Sequence, residues 1–176
     1  MTTFFTSDHH FGHANIIEYC RRPFASAEEM DAEMEARWRA RVRPDDLVYH
    51  LGDFSFGPLD AIARRARALP GRKVLIVGNH DTHHFRRKAS QRCLDFFMRE
   101  AGFEQAVESM PLEINGRAVF LSHRPEEEAT MQALRAELNL HGHVHERYNR
   151  RGSRINVGVD VRGFEPRTLE ELTRAG

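Results

Sequence analysis

Five apolar, strand-like runs in this chain end in side chains able to bind metal ions. Phe4-Phe5-Thr6-Ser7 runs into Asp8-His9-His10, and Leu47-Val48-Tyr49-His50-Leu51 into Gly52-Asp53. Residues 74–77 lead to Gly78-Asn79-His80-Asp81, residues 119–122 meet His123, and residues 138–140 lead to His141-Gly142-His143-Val144-His145. Sites in open αβ sheets form where strands end at their carboxyl side, so five such ends can surround one crevice. In extended backbone, residues two apart point the same way. Asp8 with His10, and His143 with His145, are therefore expected to present two ligands each to one place. Gly52, Gly78 and Gly142 allow sharp turns and close backbone approach beside these groups.

The chemistry follows from the donor types. Carboxylate, amide and imidazole groups without cysteine suit manganese, iron, nickel or zinc in a reactive site better than a thiolate-closed structural zinc. The ligands are also too many for a single tetrahedral ion. Two cations about 3.5–4 Å apart can act together as Lewis acids and lower the pKa of bound water to about 7.

In their order and content, Asp8-x-His10, Gly52-Asp53, Gly78-Asn79-His80-Asp81, His123 and Gly142-His143-x-His145 resemble the five motifs of the calcineurin-like metallophosphoesterase superfamily. Ser7-Asp8-His9-His10-Phe11-Gly12-His13 and Asn156-Val157-Gly158-Val159-Asp160 further resemble its small, uncapped bacterial and phage members. The resemblance implies an α/β (α+β) chain folded as a four-layer αββα sandwich. It implies that Asp8, His10 and His145 hold one metal and Asn79, His123 and His143 the second, with Asp53 bridging. His80 matches the family's non-ligating histidine, which faces the phosphate and its leaving group. The implied activity is hydrolysis of phosphodiesters, phosphomonoesters or both by a hydroxide bridging two divalent metals, manganese foremost. His80 and Asp53 are then the catalytic pair. His13 and Arg124, each just beyond a ligand motif, are candidates for substrate contact. Asp81 stands with them, as a substrate contact or as the residue that orients a neighbour. A non-catalytic scaffold on the same fold is the alternative.

The remaining histidines carry plainer readings. His50, inside a strand run, is expected to be a satisfied interior residue, and His9 to alternate away from the ligands and be exposed. His83 and His84 are expected on the surface where a helix begins, and His141 as a possible support for a ligand. Arg147, Arg150, Arg151 and Arg154 read as a solvated hairpin.

Strand patterns cover 3–6, 47–50, 73–77, 112–114, 118–121, 139–141 and 154–157, and Asn115-Gly116 signals a type I′ hairpin because both turn residues must take positive φ. A helix opens on the Ser26–Glu29 capping box, with Met30, Met34 and Trp38 as its core stripe. Others are predicted over 59–69, over 85–100 with Arg86-Arg87-Lys88 as a solvated start, and over 126–138. Strands alternating with helices, then a hairpin and further strands, predict one layered αβ domain over 1–176. Only 24 residues separate Asp53 from Gly78, too few for a cap domain.

Composition limits the alternatives. Of 176 residues 40% are hydrophobic and 30% charged, which is globular rather than disordered, and the net charge of zero gives no overall basic field for nucleic acid. No run approaches the roughly 18 apolar residues of a membrane span, and Met1–Phe5 lacks the basic and apolar regions of a leader, so a cytoplasmic protein is expected. Cys20 and Cys93 are too few for a disulfide framework and are read as reduced, core or half-buried thiols.

Overall fold

The computed structural model describes residues 1–85 and 90–174. Its strands are β1 (Thr3–Thr6), β2 (Leu47–His50), β3 (Arg72–Ile76), β4 (Gln105–Val107), β5 (Ser109–Ile114), β6 (Arg117–Ser122), β7 (Leu138–His141), β8 (Arg150–Arg151), β9 (Arg154–Asn156) and β10 (Arg167–Thr168). Its helices are α1 (Asn15–Tyr19), α2 (Ala27–Arg41), α3 (Leu59–Ala68), α4 (Gln91–Asp95), α5 (Glu128–Ala133) and α6 (Leu169–Arg174). The strands form two five-stranded sheets, ordered β10-β1-β2-β3-β4 and β5-β6-β7-β9-β8. Strands β1 to β4 run parallel, as do β6, β7 and β9, so the motif-bearing ends of each sheet lie on one edge.

Two apolar cores follow from strand alternation, which sends successive side chains to opposite faces. Phe5, Leu51 and Ile76 of the first sheet meet Val119, Leu121, Leu140 and Ile155 of the second. Phe4, Val48 and Leu75 point the other way, into a layer built from Met30, Met34 and Trp38 of α2 and Ile62 and Ala66 of α3. Met30, Met34 and Trp38 are fully buried, as the four-residue spacing predicts. Ser26 caps α2 by accepting the Glu29 N–H at 3.2 Å, and the Glu29 carboxylate reaches back to the Ala25 N–H at 2.7 Å. On the second sheet the crossover layer is the short α5, which joins the parallel strands β6 and β7. The chain thus has the α/β class and layered order expected.

Several boundaries differ from the sequence expectation for identifiable reasons. The helix expected over 126–138 ends at Ala133, because Arg135 turns left-handed at φ 53° and the Glu137 N–H already bonds to Ala118 of β6. The helix expected over 85–100 is α4 followed by a π-helical turn at Phe96–Glu100, and its basic start lies outside the described residues. The hairpin turn is as expected, with Asn115 at φ 52° and Gly116 at 74°. Among the described residues, no helix is long and apolar enough to cross a membrane.

Candidate metal centre

The carboxyl ends of β1, β2, β3, β6 and β7 bring the predicted ligands together. The ligating atoms of Asp8, His10 and His145 lie within 4.8 Å of one another, and so do those of Asp53, His123 and His143. Asp53 joins the two groups: its Oδ2 is 3.6 Å from His10 Nε2 and 3.4 Å from His123 Nε2. Asn79 Oδ1 is 3.0 Å from the same His123 nitrogen, which adds it to the second group.

The convergence expected from extended backbone is real, but its cause is different. Asp8, His10, Asp53, His143 and His145 all sit at positive φ, between 48° and 67°. They are five of the nine non-glycine residues in that region among the described residues. The ligands after β1, β2 and β7 are aimed by tight left-handed turns rather than by strand alternation, whereas Asn79 and His123 are not at positive φ. The glycines act as anticipated: a Cβ on Gly52 would stand 2.5 Å from His123 Nδ1, and one on Gly78 or Gly142 would collide with Asp53 or with Ser7 and Asp8.

Neighbouring groups hold the ligands in place. His123 Nδ1 donates to the Leu51 carbonyl at 2.8 Å, so Nε2 is the nitrogen that faces Asp53 and Asn79 and that carries the lone pair when the ring is neutral. The Asp8 carboxylate accepts the His143 N–H at 3.0 Å, and Asp53 Oδ1 accepts the His80 N–H at 2.8 Å. Asp81 is buried and accepts N–H groups from Asp53, Phe54 and Gly78, each at 2.8 Å. Buried and so engaged, it holds the Asp53 loop in place.

Electrostatics match a cation site. Burial pushes the Asp8 carboxyl up to about 6. Burial would also raise Asp53, yet the hydrogen bond and charge of His123 hold it well below the usual range. His123 is lifted to about 9 against the pull of burial by Asp53 and Asp8. A metal competes for that position, since imidazole ligates only in its neutral form. Both ring nitrogens of His10 are buried without a hydrogen-bond partner among the described residues, and a buried polar atom left so is costly. Two carboxylates, an amide and four imidazoles turned inward around such atoms fit divalent cations.

Two residues that sequence reasoning missed support the first group. Asp160 Oδ2 accepts from His145 Nδ1 at 2.8 Å, the carboxylate–histidine arrangement that orients metal ligands. Arg22 grips that carboxylate with Nε at 2.7 Å and Nη2 at 3.1 Å, and bonds the Asp8 and His9 carbonyls at 2.6 and 2.7 Å. Burial would raise Asp160, but the His145 hydrogen bond and Arg22 keep it below its ordinary value. Asp160 lies in a run singled out for its resemblance, without a role. Arg22 carried no signal.

The other sequence candidates fall as follows. The His80 ring is 4.0 Å from Asp53 Oδ2 with its side chain 43% exposed, open to the cleft. His13 lines the same cleft and stacks flat on Phe56 with ring centres 4.0 Å apart. Arg124 is exposed, and its charge adds to burial in lowering His143 to about 4. His9 is wholly buried rather than exposed: it turns away from the ligands into the helix-facing core, with its Nδ1 2.9 Å from His50 Nε2. His50 is interior as expected, but its Nδ1 has no partner among the described residues. Among the described residues His141 hydrogen-bonds none of the predicted ligands: its Nδ1 lies 2.8 Å from the Gly142 carbonyl and its Nε2 3.3 Å from the Tyr148 hydroxyl. His83 and His84 are exposed, and His84 reaches the Gly57 carbonyl at 2.7 Å. Arg150 and Arg151 form an exposed hairpin arm, whereas Arg147 lines the cleft. Cys93 is buried and Cys20 half-buried, both free.

Residues 1–161 match the calcineurin-like phosphoesterase superfamily domain. An uncharacterized protein of Methanocaldococcus jannaschii is 32% identical over 96% of this chain and 87% of its own length. The gene 66 protein of Mycobacterium phage D29 is 33% identical over 89% of this chain and 87% of its own. A crystal structure of a protein of unknown function from Aquifex aeolicus superposes with a TM-score of 0.71 at 27% identity, covering 99% of this chain and 98% of that one. Ligand-bearing strand ends, two-sheet architecture and family match agree, and the chain belongs to the calcineurin-like phosphoesterase superfamily.

Proposed function

We propose that this protein hydrolyses phosphoesters, diesters or monoesters, at a centre of two divalent cations, manganese foremost. The observation that carries the reading is the position of Asp53 Oδ2, between His10 Nε2 at 3.6 Å and His123 Nε2 at 3.4 Å. Asp8, His10 and His145 would hold one cation and Asn79, His123 and His143 the other, with Asp53 shared. Bound there, the pair would supply Lewis acidity toward phosphoryl oxygens and water acidified to a pKa of about 7.

The protein's own groups do the rest. Asp81 holds the backbone of the Asp53 turn through three N–H bonds, and the His80 N–H holds the Asp53 carboxylate itself. Asp160 and Arg22 hold His145 in one tautomer and one orientation. His80 is anchored at its main-chain N–H by Asp53, while its ring stands at the cleft surface, where it can give a proton to the departing oxygen.

The test uses metal-stripped protein with Mn²⁺ restored, assayed in parallel on bis(p-nitrophenyl) phosphate and p-nitrophenyl phosphate. Turnover that appears only with metal is expected, and the ratio of the two rates separates diesterase from monoesterase. Two cations bound per chain without turnover of either ester would overturn the enzyme reading in favour of a scaffold.

A further inference from the structure

The centre opens into a cleft of about 270 Å³, to which α1 contributes Ile16 and Tyr19, its C-terminal cap contributes Cys20, and the segment after β7 contributes Val144 and Arg147. Tyr19 is 68% exposed; among the described residues, the only other large hydrophobic side chains exposed to a similar extent are Met1 and Leu134. Single exposed hydrophobics are ordinary on a protein surface, but this one stands on the wall of the cleft. It also continues an aromatic series leading out from the metal ligands. Phe56 lies against His10 at 5.6 Å, His13 stacks on Phe56 at 4.0 Å, and Tyr19 meets His13 edge-on at 6.3 Å. The inner rings cover one another, whereas the Tyr19 ring is left to solvent.

We propose that the cleft selects phosphoesters bearing a flat aromatic group, a nucleobase or a simple aryl ring, which stacks on Tyr19. The proposal rests on the phosphoryl group seating at the centre described above. His13 and Tyr19 line the same cleft as His10, His143 and His145, so an ester group extending from that position along the cleft runs beside them. Tyrosine suits this task because its rigid ring offers contact area at little conformational cost, and aromatic stacking accepts any base through its π face. The Arg147 guanidinium is a second planar group on the lining, able to stack or to bond a base edge. An alkyl ester would leave the Tyr19 ring as uncovered as it is now.

Binding decides the matter, because it is readable whether or not the protein turns substrate over. Metal-loaded full-length protein is titrated calorimetrically with methylphosphonate, phenylphosphonate and the phosphonate analogue of adenosine monophosphate, whose C–P bonds resist hydrolysis. At least one aromatic ligand is expected to bind about tenfold or more tightly than methylphosphonate. Tyr19→Ala should weaken that ligand roughly 5- to 100-fold and leave methylphosphonate nearly unchanged, while Tyr19→Phe keeps the preference. Tight binding of the adenosine analogue identifies a nucleobase, and of phenylphosphonate alone a simple aryl group; either upholds the platform. Equal affinity for all three ligands, or an equal loss of all three in Tyr19→Ala, would overturn it. An absence of turnover alongside a Tyr19-dependent preference would instead sink the proposed hydrolysis and leave the platform standing.

Discussion

Replacing Arg22 with methionine tests whether the metal centre depends on the buried network behind it. The Arg22 side chain is fully buried and Asp160 is 3% exposed, so water cannot replace the guanidinium when it is removed. The substitution keeps the apolar stem but deletes two bonds to Asp160 and one each to the Asp8 and His9 carbonyls. Asp160 would keep only His145 as a partner. Breaking a buried ion pair from one side costs about 3–5 kcal/mol, a large share of the roughly 5–15 kcal/mol that holds a domain folded. At about 2–4 °C per kcal/mol for a chain of this size, the melting temperature should fall by roughly 6–20 °C. A second effect is local: His145 loses its fixed orientation, and loss of such support typically costs about 10- to 100-fold in metal affinity. Urea melts of metal-free protein read the first effect, and competition with a chelating dye reads the second. Arg22→Lys restores the charge without the planar fork and should recover only part of either loss. If Arg22→Met behaves like a surface substitution, within about 0.5 kcal/mol, the network is incidental. If stability falls while metal affinity holds, Asp160 does not govern His145.

Other perturbations probe separate parts of the same reasoning. Gly142→Ala places a methyl group against Ser7 Oγ and Asp8 Oδ2, so metal affinity should drop and stability should fall by about 1–3 kcal/mol; wild-type metal binding by this variant would mean the turn relaxes freely. His80→Ala should cut turnover about 10²- to 10⁴-fold with metal content intact by elemental analysis, and unchanged turnover would remove His80 from the chemistry. Asp53→Asn should lose at least one metal, and retention of both would contradict the shared-ligand role. Burial pushes the Cys93 thiol up to about 12, so at pH 8 only about one molecule in ten thousand is thiolate. A chromogenic disulfide reagent should therefore titrate Cys20 alone in native protein and both thiols after unfolding; rapid reaction of Cys93 would show that its pocket opens.

The parts of this site legible in the sequence were those encoded by local order. A strand followed by a glycine or serine and then a ligand is a pattern within a few residues, and Asp53, His123 and His143 lie where it put them. The strands at 3–6 and 47–50 were equally plain, because their apolar runs stop at polar residues on both sides. What stayed hidden depends on contacts across the chain. Arg22 and Asp160 stand 138 positions apart, and nothing local tells a buried arginine from the solvated ones around it. His9 was misread because alternation says which side of a strand a residue takes, not whether that side is solvent or a second core. The sheet holding the first ligands faces helices on one side and the other sheet on the other, so both sides are dry. The two-residue strands β8 and β10 carry no periodicity at all, and they exist only because a neighbouring strand offers its edge.

The left-handed turns at the ligands raise the question of what sustains them, since each costs a non-glycine residue about 1–2 kcal/mol. The answer is that the ligating groups also stitch the two sheets together. Asp8, on the first sheet, accepts the N–H of His143 from the second. His123, on the second sheet, donates to Leu51 of the first, and Ser7 Oγ donates to the Leu51 carbonyl from the adjacent strand. Away from this edge the sheets meet through apolar side chains, which hold them at a distance but specify no single register at the site. At the edge, directional bonds take over, and the one between Asp8 and His143 joins two of the left-handed turns directly. Strain at the turns and precision at the ligands are therefore one feature. A variant that relaxed the Asp8 or His143 turn would release backbone energy and lose this cross-sheet bond together, so stability and metal binding are expected to change together there.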